Sequence, residues 1–249
     1  MMRNIALLLI CLFLANCSPD DPTTDNPTDD PEIVIKPNPL EGLPDEGPIR
    51  FDNPTIGQRS YYAYFKATYD NTTKNVNFEY TTDTLVLAIT RQDADHWIVK
   101  EFLTDGSASN LPSGGVWSGW ADSVFVRHLR VDSDSIYFTR PASANLFSFL
   151  FVGEKRKFPL QLVTDSTPLN PGCLPTFGYS SEEWMQYTLD YTQFGQTFNH
   201  LNDYFDYREM AGDGLGFMYV YSPSSGIVRW TWVSAWEIFD AEGWDLVPK

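Results

Sequence analysis

Apolar residues in this chain recur at every second position, in short runs broken by clusters of Gly, Pro, Ser, Asn and Asp. That period belongs to half-buried strands and leaves little room for anything but a sheet. Across residues 61–69 the odd positions are apolar and the even ones mostly polar-tipped, and Leu85, Leu87 and Ile89 share one face of residues 84–90. Residues 97–103 follow after a short polar loop at 92–96, which reads as a hairpin. Residues 123–131 and 135–140 are joined by Asp132-Ser133-Asp134, and residues 147–152 and 157–163 flank Gly153-Glu154 in the same manner. Met185, Tyr187, Leu189 and Tyr191 alternate with polar residues, while residues 198–207 fit a strand with a helical stripe as the competing pattern. Residues 217–221 and 227–233 bracket a turn in which Pro223 and Gly226 supply the backbone. About ten strands, short connections and no helix longer than two turns predict an all-β fold. The expected architecture is an antiparallel meander, curled or closed into an open barrel, because a sheet that wide hides its edges by curling.

The first 47 residues have a different character. After Arg3 comes a ten-residue apolar run (5–14) and a small residue, the layout of a secretory signal. The order Leu14-Ala15-Asn16-Cys17 resembles a bacterial lipoprotein signal, with Asn16 where such signals usually carry Gly, Ala or Ser. The resemblance implies loss of residues 1–16 and acylation of Cys17 on its thiol and its amine. At about 0.8 kcal/mol per buried methylene two chains already anchor stably, and three hold permanently. Ser18-Pro19-Asp20-Asp21 resembles the surface-export signal of Bacteroidota lipoproteins. That implies a lipid anchor in the outer membrane with the domain facing the cell surface, a periplasm-facing domain being the alternative. Residues 17–47 then form an acidic tether rich in Pro, Asp and Thr, and residues 48–249 a single β domain. Strand order and the aromatic final hairpins make that domain similar in architecture to lipocalin-like and LolA/LolB-like open barrels.

Charge narrows the partners. Of the net −16, residues 18–47 contribute nine acids against one base, and no basic face is visible in the sequence, so nucleic acid is an unsuitable partner. With Cys11 lost and Cys17 lipidated, as the resemblance implies, Cys173 stands alone in a turn-rich loop and no internal disulfide scaffold is expected. His96, His128 and His200 lie far apart with no metal-ligand spacing. The acid pairs at 93/95 and 132/134 sit in turns and lack the remaining ligands of a calcium loop. Gly212-Asp213-Gly214-Leu215-Gly216 precedes a strand rather than a helix, so it is a turn and not a dinucleotide loop. No motif sets a nucleophile beside a base, and neither an enzyme nor a cofactor is expected.

Tryptophan carries the remaining signal. Trp230 and Trp232 share one face of a strand and are expected to fill the core or the lumen. Trp117 and Trp120 lie in a Gly/Ser-rich loop, where large rings need a partner. The loop either plugs one end of the barrel or presents its rings to a sugar or a lipid. The expected function is a lipid-anchored, exported binding module for an apolar or glycan ligand, held at Trp117 and Trp120. The alternative is a structural or partner-binding subunit of an envelope complex.

Overall fold

The computed structural model of the chain describes residues 38–70, 72–73, 75–104, 123–144, 148–151, 153–163, 184–210, 215–234 and 240–248. They contain eleven strands: β1 (Arg59–Asp70), β2 (Asn75–Asp93), β3 (His96–Leu103), β4 (Val124–Val131), β5 (Ser135–Thr139), β6 (Lys155–Pro159), β7 (Trp184–Gln193), β8 (Gln196–Met210), β9 (Leu215–Ser222), β10 (Gly226–Ser234) and β11 (Asp240–Val247). One antiparallel sheet holds them in the order β6-β5-β4-β3-β2-β1-β11-β10-β9-β8-β7. The first and last strands therefore pair in the middle, and β6 and β7 form the two edges. This is the meander read from the two-residue period, curled into a half-barrel.

The curl is visible in side chains that meet across the interior. Phe158 on β6 lies 5.2 Å from Tyr204 on β8, and 5.0 and 5.2 Å from Tyr219 and Tyr221 on β9, measured between ring centres. Instead of a strand ladder, the side chain of Asn202 on β8 ties this edge across. Its amide donates to Gln161 O (3.1 Å) and its oxygen accepts from Val163 N (2.9 Å). Along the inner face the register sets Tyr204, Tyr219, Trp230, Trp244 and Tyr64 opposite one another on five consecutive strands. Aromatic cross-strand pairs of this kind are the unit from which sheets gain stability.

Two local expectations need correction. In β1 the even residues Tyr62 and Tyr64 enter the main core, while Phe65 and Ala67 on the odd face are buried on the other side. The polar tips do not keep the tyrosines out, because each hydroxyl finds an acceptor: Ile227 O for Tyr62 (3.1 Å) and Glu242 for Tyr64. Residues 148–151 are not the strand that an apolar run beside Gly153-Glu154 suggested. They cross the interior, and only residues 155–159 after them pair as β6.

The outer face is covered in two places. Residues 38–58 form a strap within a compact unit spanning Asn38–Lys249; its Leu40 packs on Val86, Ala88 and Phe102 of β2 and β3, while Ile49 and Phe51 turn into the main core, Phe51 against Phe138 and Tyr221. The strap is stitched on by Arg59 N to Gly47 O (2.7 Å) and by the paired bonds of Gly57 and Gln58 with Ile89. The β7–β8 hairpin supplies the second cover. β8 pairs with β9 only from Asn202 onward, and just before that point His200 adopts a φ of +58°, a left-handed conformation uncommon for a residue with a side chain. The hairpin tip beyond this kink reaches over β2, β10 and β11.

Candidate functional site

A half-barrel of aromatic strands offers its interior as the obvious site, and the chain fills that interior itself. Ser148, Phe149, Leu150 and Phe151 are all fully buried. Phe149 packs edge-on against Phe125 (5.3 Å) and Trp244 (6.0 Å), and Phe151 stacks on Phe138 (4.3 Å). A plug of this kind has backbone groups that must be satisfied away from water. Two inward-pointing charged residues do so. Glu101 on β3 accepts from Leu150 N at 2.8 Å; Arg127 on β4 donates to Phe151 O at 3.0 Å and Gly153 O at 2.9 Å. Tyr219 from the far wall donates to Leu150 O at 2.6 Å, and Ser148 closes the turn by bonding Phe151.

Burial pushes the Glu101 carboxyl up to about 7, with the nearby Arg127 charge opposing the rise. A carboxyl tuned to that value beside a guanidinium has the electrostatics of a general acid. Its surroundings do not suit the role, because Glu101 is wholly buried beneath the plug it holds. The pair fastens the plug; it does not face a substrate.

A second buried charge pair lies on the outer face. Arg229 on β10 and Asp245 on β11 are register partners, and both carboxylate oxygens accept from the guanidinium. Three rings enclose the guanidinium: Phe78 at 4.6 Å, Phe65 at 4.7 Å and Tyr191 at 4.9 Å. Tyr80 and Tyr191 donate to Asp245 at 2.6 and 3.4 Å. Asp203, two strands away in the same row, is buried with an oxygen that has no partner, and burial raises its carboxyl to about 7. Beside this box the β10–β11 ladder ends at Arg229 and Asp245. Gln193, at the tip of β7, bonds both Val228 O (3.1 Å) and Leu246 O (2.8 Å) just past that point. The box and this wedge pin the β7–β8 hairpin onto the sheet.

A cleft of about 180 Å³ opens at this end, with Arg59, Tyr61, Gln196, Phe198, Ser225 and Leu246 among its walls. Arg59 is already committed to Leu43 O, Pro44 O and Asp45, so the cleft offers amide, hydroxyl and ring surface.

Of the residues singled out from sequence, Cys17, Trp117, Trp120 and Cys173 lie outside the described residues. Trp230 is fully buried and Trp232 packs on the core beside Phe217, both on the inner face as expected. The histidines are not all apart. His96 and His128, thirty-two positions distant in sequence, bring their rings to 4.3 Å on neighbouring strands. Cross-strand register alone joins them, which no spacing rule could have shown. Among the described residues no group of three or more His, Cys, Asp or Glu is placed to hold a metal ion, and no helix is long and apolar enough to cross a membrane. No protein-family model matches the chain, and no curated protein matches it in sequence.

Proposed function

We propose that this chain is a lipid-anchored, exported binding module that meets a glycan outside its half-barrel rather than an apolar ligand within it. The observation behind the choice of ligand is the buried plug, Ser148–Phe151. An apolar ligand needs a lined cavity, and here Phe149, Leu150 and Phe151 take up that volume. Glycans bind on exposed aromatic and polar surface, and the connection from β3 to β4 carries Trp117 and Trp120. The anchor rests on the lipoprotein-like order ending in Cys17.

The test is a glycan array probed with the full chain in detergent micelles, before and after Trp117→Ala and Trp120→Ala. Binding that falls at least tenfold in the double variant supports the proposal; binding of a fluorescent fatty acid in preference to every glycan overturns it. Labelled palmitate tests the anchor separately, since Cys17→Ala must abolish incorporation. The second function, a subunit of an envelope complex, draws on the two sheet edges at β6 and β7, where strand ladders end among the described residues. Crosslinking in cells that captures one envelope protein, with no glycan bound, favours that alternative.

A further inference from the structure

The outer face of β4, β5 and β6 carries a cluster that neither the plug nor the two pinned charge pairs use. Register sets Arg130, Tyr137 and Lys157 side by side on the three strands, with Lys155 diagonal to them. All three cations gather on the one ring: Arg130 at 4.7 Å, Lys155 at 4.8 Å and Lys157 at 5.5 Å from its centre. The Tyr137 hydroxyl is held below the usual tyrosine value by bonds from Ser135 and Lys157. Arg130 shares its charge with Asp132 at 3.1 Å and is still 45 % exposed. Both lysines are exposed, and among the described residues no carboxylate pairs with either.

The surroundings make this cluster unusual. Of the six Lys and Arg in residues 123–163, Arg127 and Arg156 are buried on the inner face, and Arg130, Arg140, Lys155 and Lys157 remain outside against three acids, in a chain whose net charge is −16. Lysines on an edge strand discourage unwanted strand pairing, which accounts for Lys155 and Lys157 on β6. It does not account for Arg130, two strands inside the edge, nor for three cations converging on one ring. Holding like charges together is unfavourable unless something offsets it, and the ring face does so only in part. An anion laid across the row would complete the balance.

We propose that this face binds an acidic polysaccharide, its carboxylates or sulfates seated on Arg130, Lys155 and Lys157. The proposal rests on the glycan-binding function above and names the class of glycan. A nucleic acid fits less well. Its charges fall about every 1.7 Å along a duplex, and a polymer that dense is repelled by the acidic surface around so small a basic island. A polysaccharide with one charge per sugar unit places only a few anions on the island.

The experiment is fluorescence anisotropy of labelled polygalacturonate, with labelled dextran of equal length as the neutral control. The full chain in detergent micelles is titrated at 50 and 500 mM salt. The expected result is binding of polygalacturonate alone, weakened at least tenfold by the higher salt and at least tenfold by Lys155→Glu with Lys157→Glu. Lys66→Glu, an exposed charge change on β1, should stay within twofold. Salt-sensitive binding that the lysine variants leave untouched overturns this site while sparing the glycan-binding function. Binding of neither polymer overturns the acidic-polysaccharide site, while the glycan array decides the glycan-binding function separately. Tighter binding of a DNA oligonucleotide than of polygalacturonate overturns the choice of ligand class.

Discussion

Two acids and one guanidinium share the outer-face box, and only Asp245 receives both of its charged bonds from Arg229. Asp203 compensates by keeping a proton: its folded-state carboxyl sits near 7, well above the ordinary value. For an acid raised in the folded state, stability is fully present below the unfolded value near 4 and is lost as pH rises toward 7. Glu101 beneath the plug acts in the same direction over nearly the same window. The account therefore predicts that the protein is more resistant to urea at pH 5 than at pH 8. Asp203→Asn and Glu101→Gln should each flatten that slope, as read from urea midpoints across pH. Asp245→Asn behaves oppositely, because it leaves Arg229 buried among rings without its counter-charge; a loss of roughly 3–5 kcal/mol is expected in urea unfolding at pH 7.

Among the elements, the plug and β11 matter most and were the hardest to read. Phe149→Ala removes a ring held between Phe125 and Trp244, and a loss of about 3–5 kcal/mol is expected from calorimetry or denaturant unfolding. The alternation of residues 84–90 and the turn at Gly226, whose φ is +66°, were legible because burial there follows local pattern. Residues 148–151 read as a strand because a mostly apolar run, with Ser148 its one polar member, has the same sequence signature whether it pairs in a sheet or crosses a core. β11 showed no strand pattern at all. Its Asp240, Glu242, Gly243 and Asp245 look like surface turn residues, yet it pairs with β1 and β10 at the centre of the sheet. Gly243 is there because the backbone of β10 approaches closely: a β-carbon would lie 2.1 Å from Trp230 O, with Phe65 covering the gap. Gly243→Ala is accordingly expected to destabilise the fold more than alanine at the exposed position of Lys66, a comparison that thermal unfolding of the two variants makes directly. Asp245 became intelligible only once register placed Arg229 opposite it. The proposed ligand residues Trp117 and Trp120 rest on the composition of their loop, and the cationic row around Tyr137 has no sequence signature because Arg130 lies seven positions before the ring and Lys155 and Lys157 eighteen and twenty positions after it.

On the scale of the whole molecule, the chain builds a barrel wall and then spends its β5–β6 connection filling the space within. Among the described residues the wall ends at β6 and β7, the strap and the β7–β8 hairpin cover part of the outside, and the β4–β6 face carries the row of Arg130, Lys155 and Lys157 on an acidic protein. On the proposed function, such a molecule would meet its ligand with its outer surface and loops. The claim on which this depends is that the plug stays in place in solution. Hydrogen exchange of the backbone amides tests it most directly, because Leu150 N and Phe151 N are bonded to Glu101 and Ser148 inside the core. The account predicts that both amides exchange as slowly as those of the central strands β1 and β11. Exchange as fast as at the exposed turn residue Ser224 would show the interior open, and would contradict it.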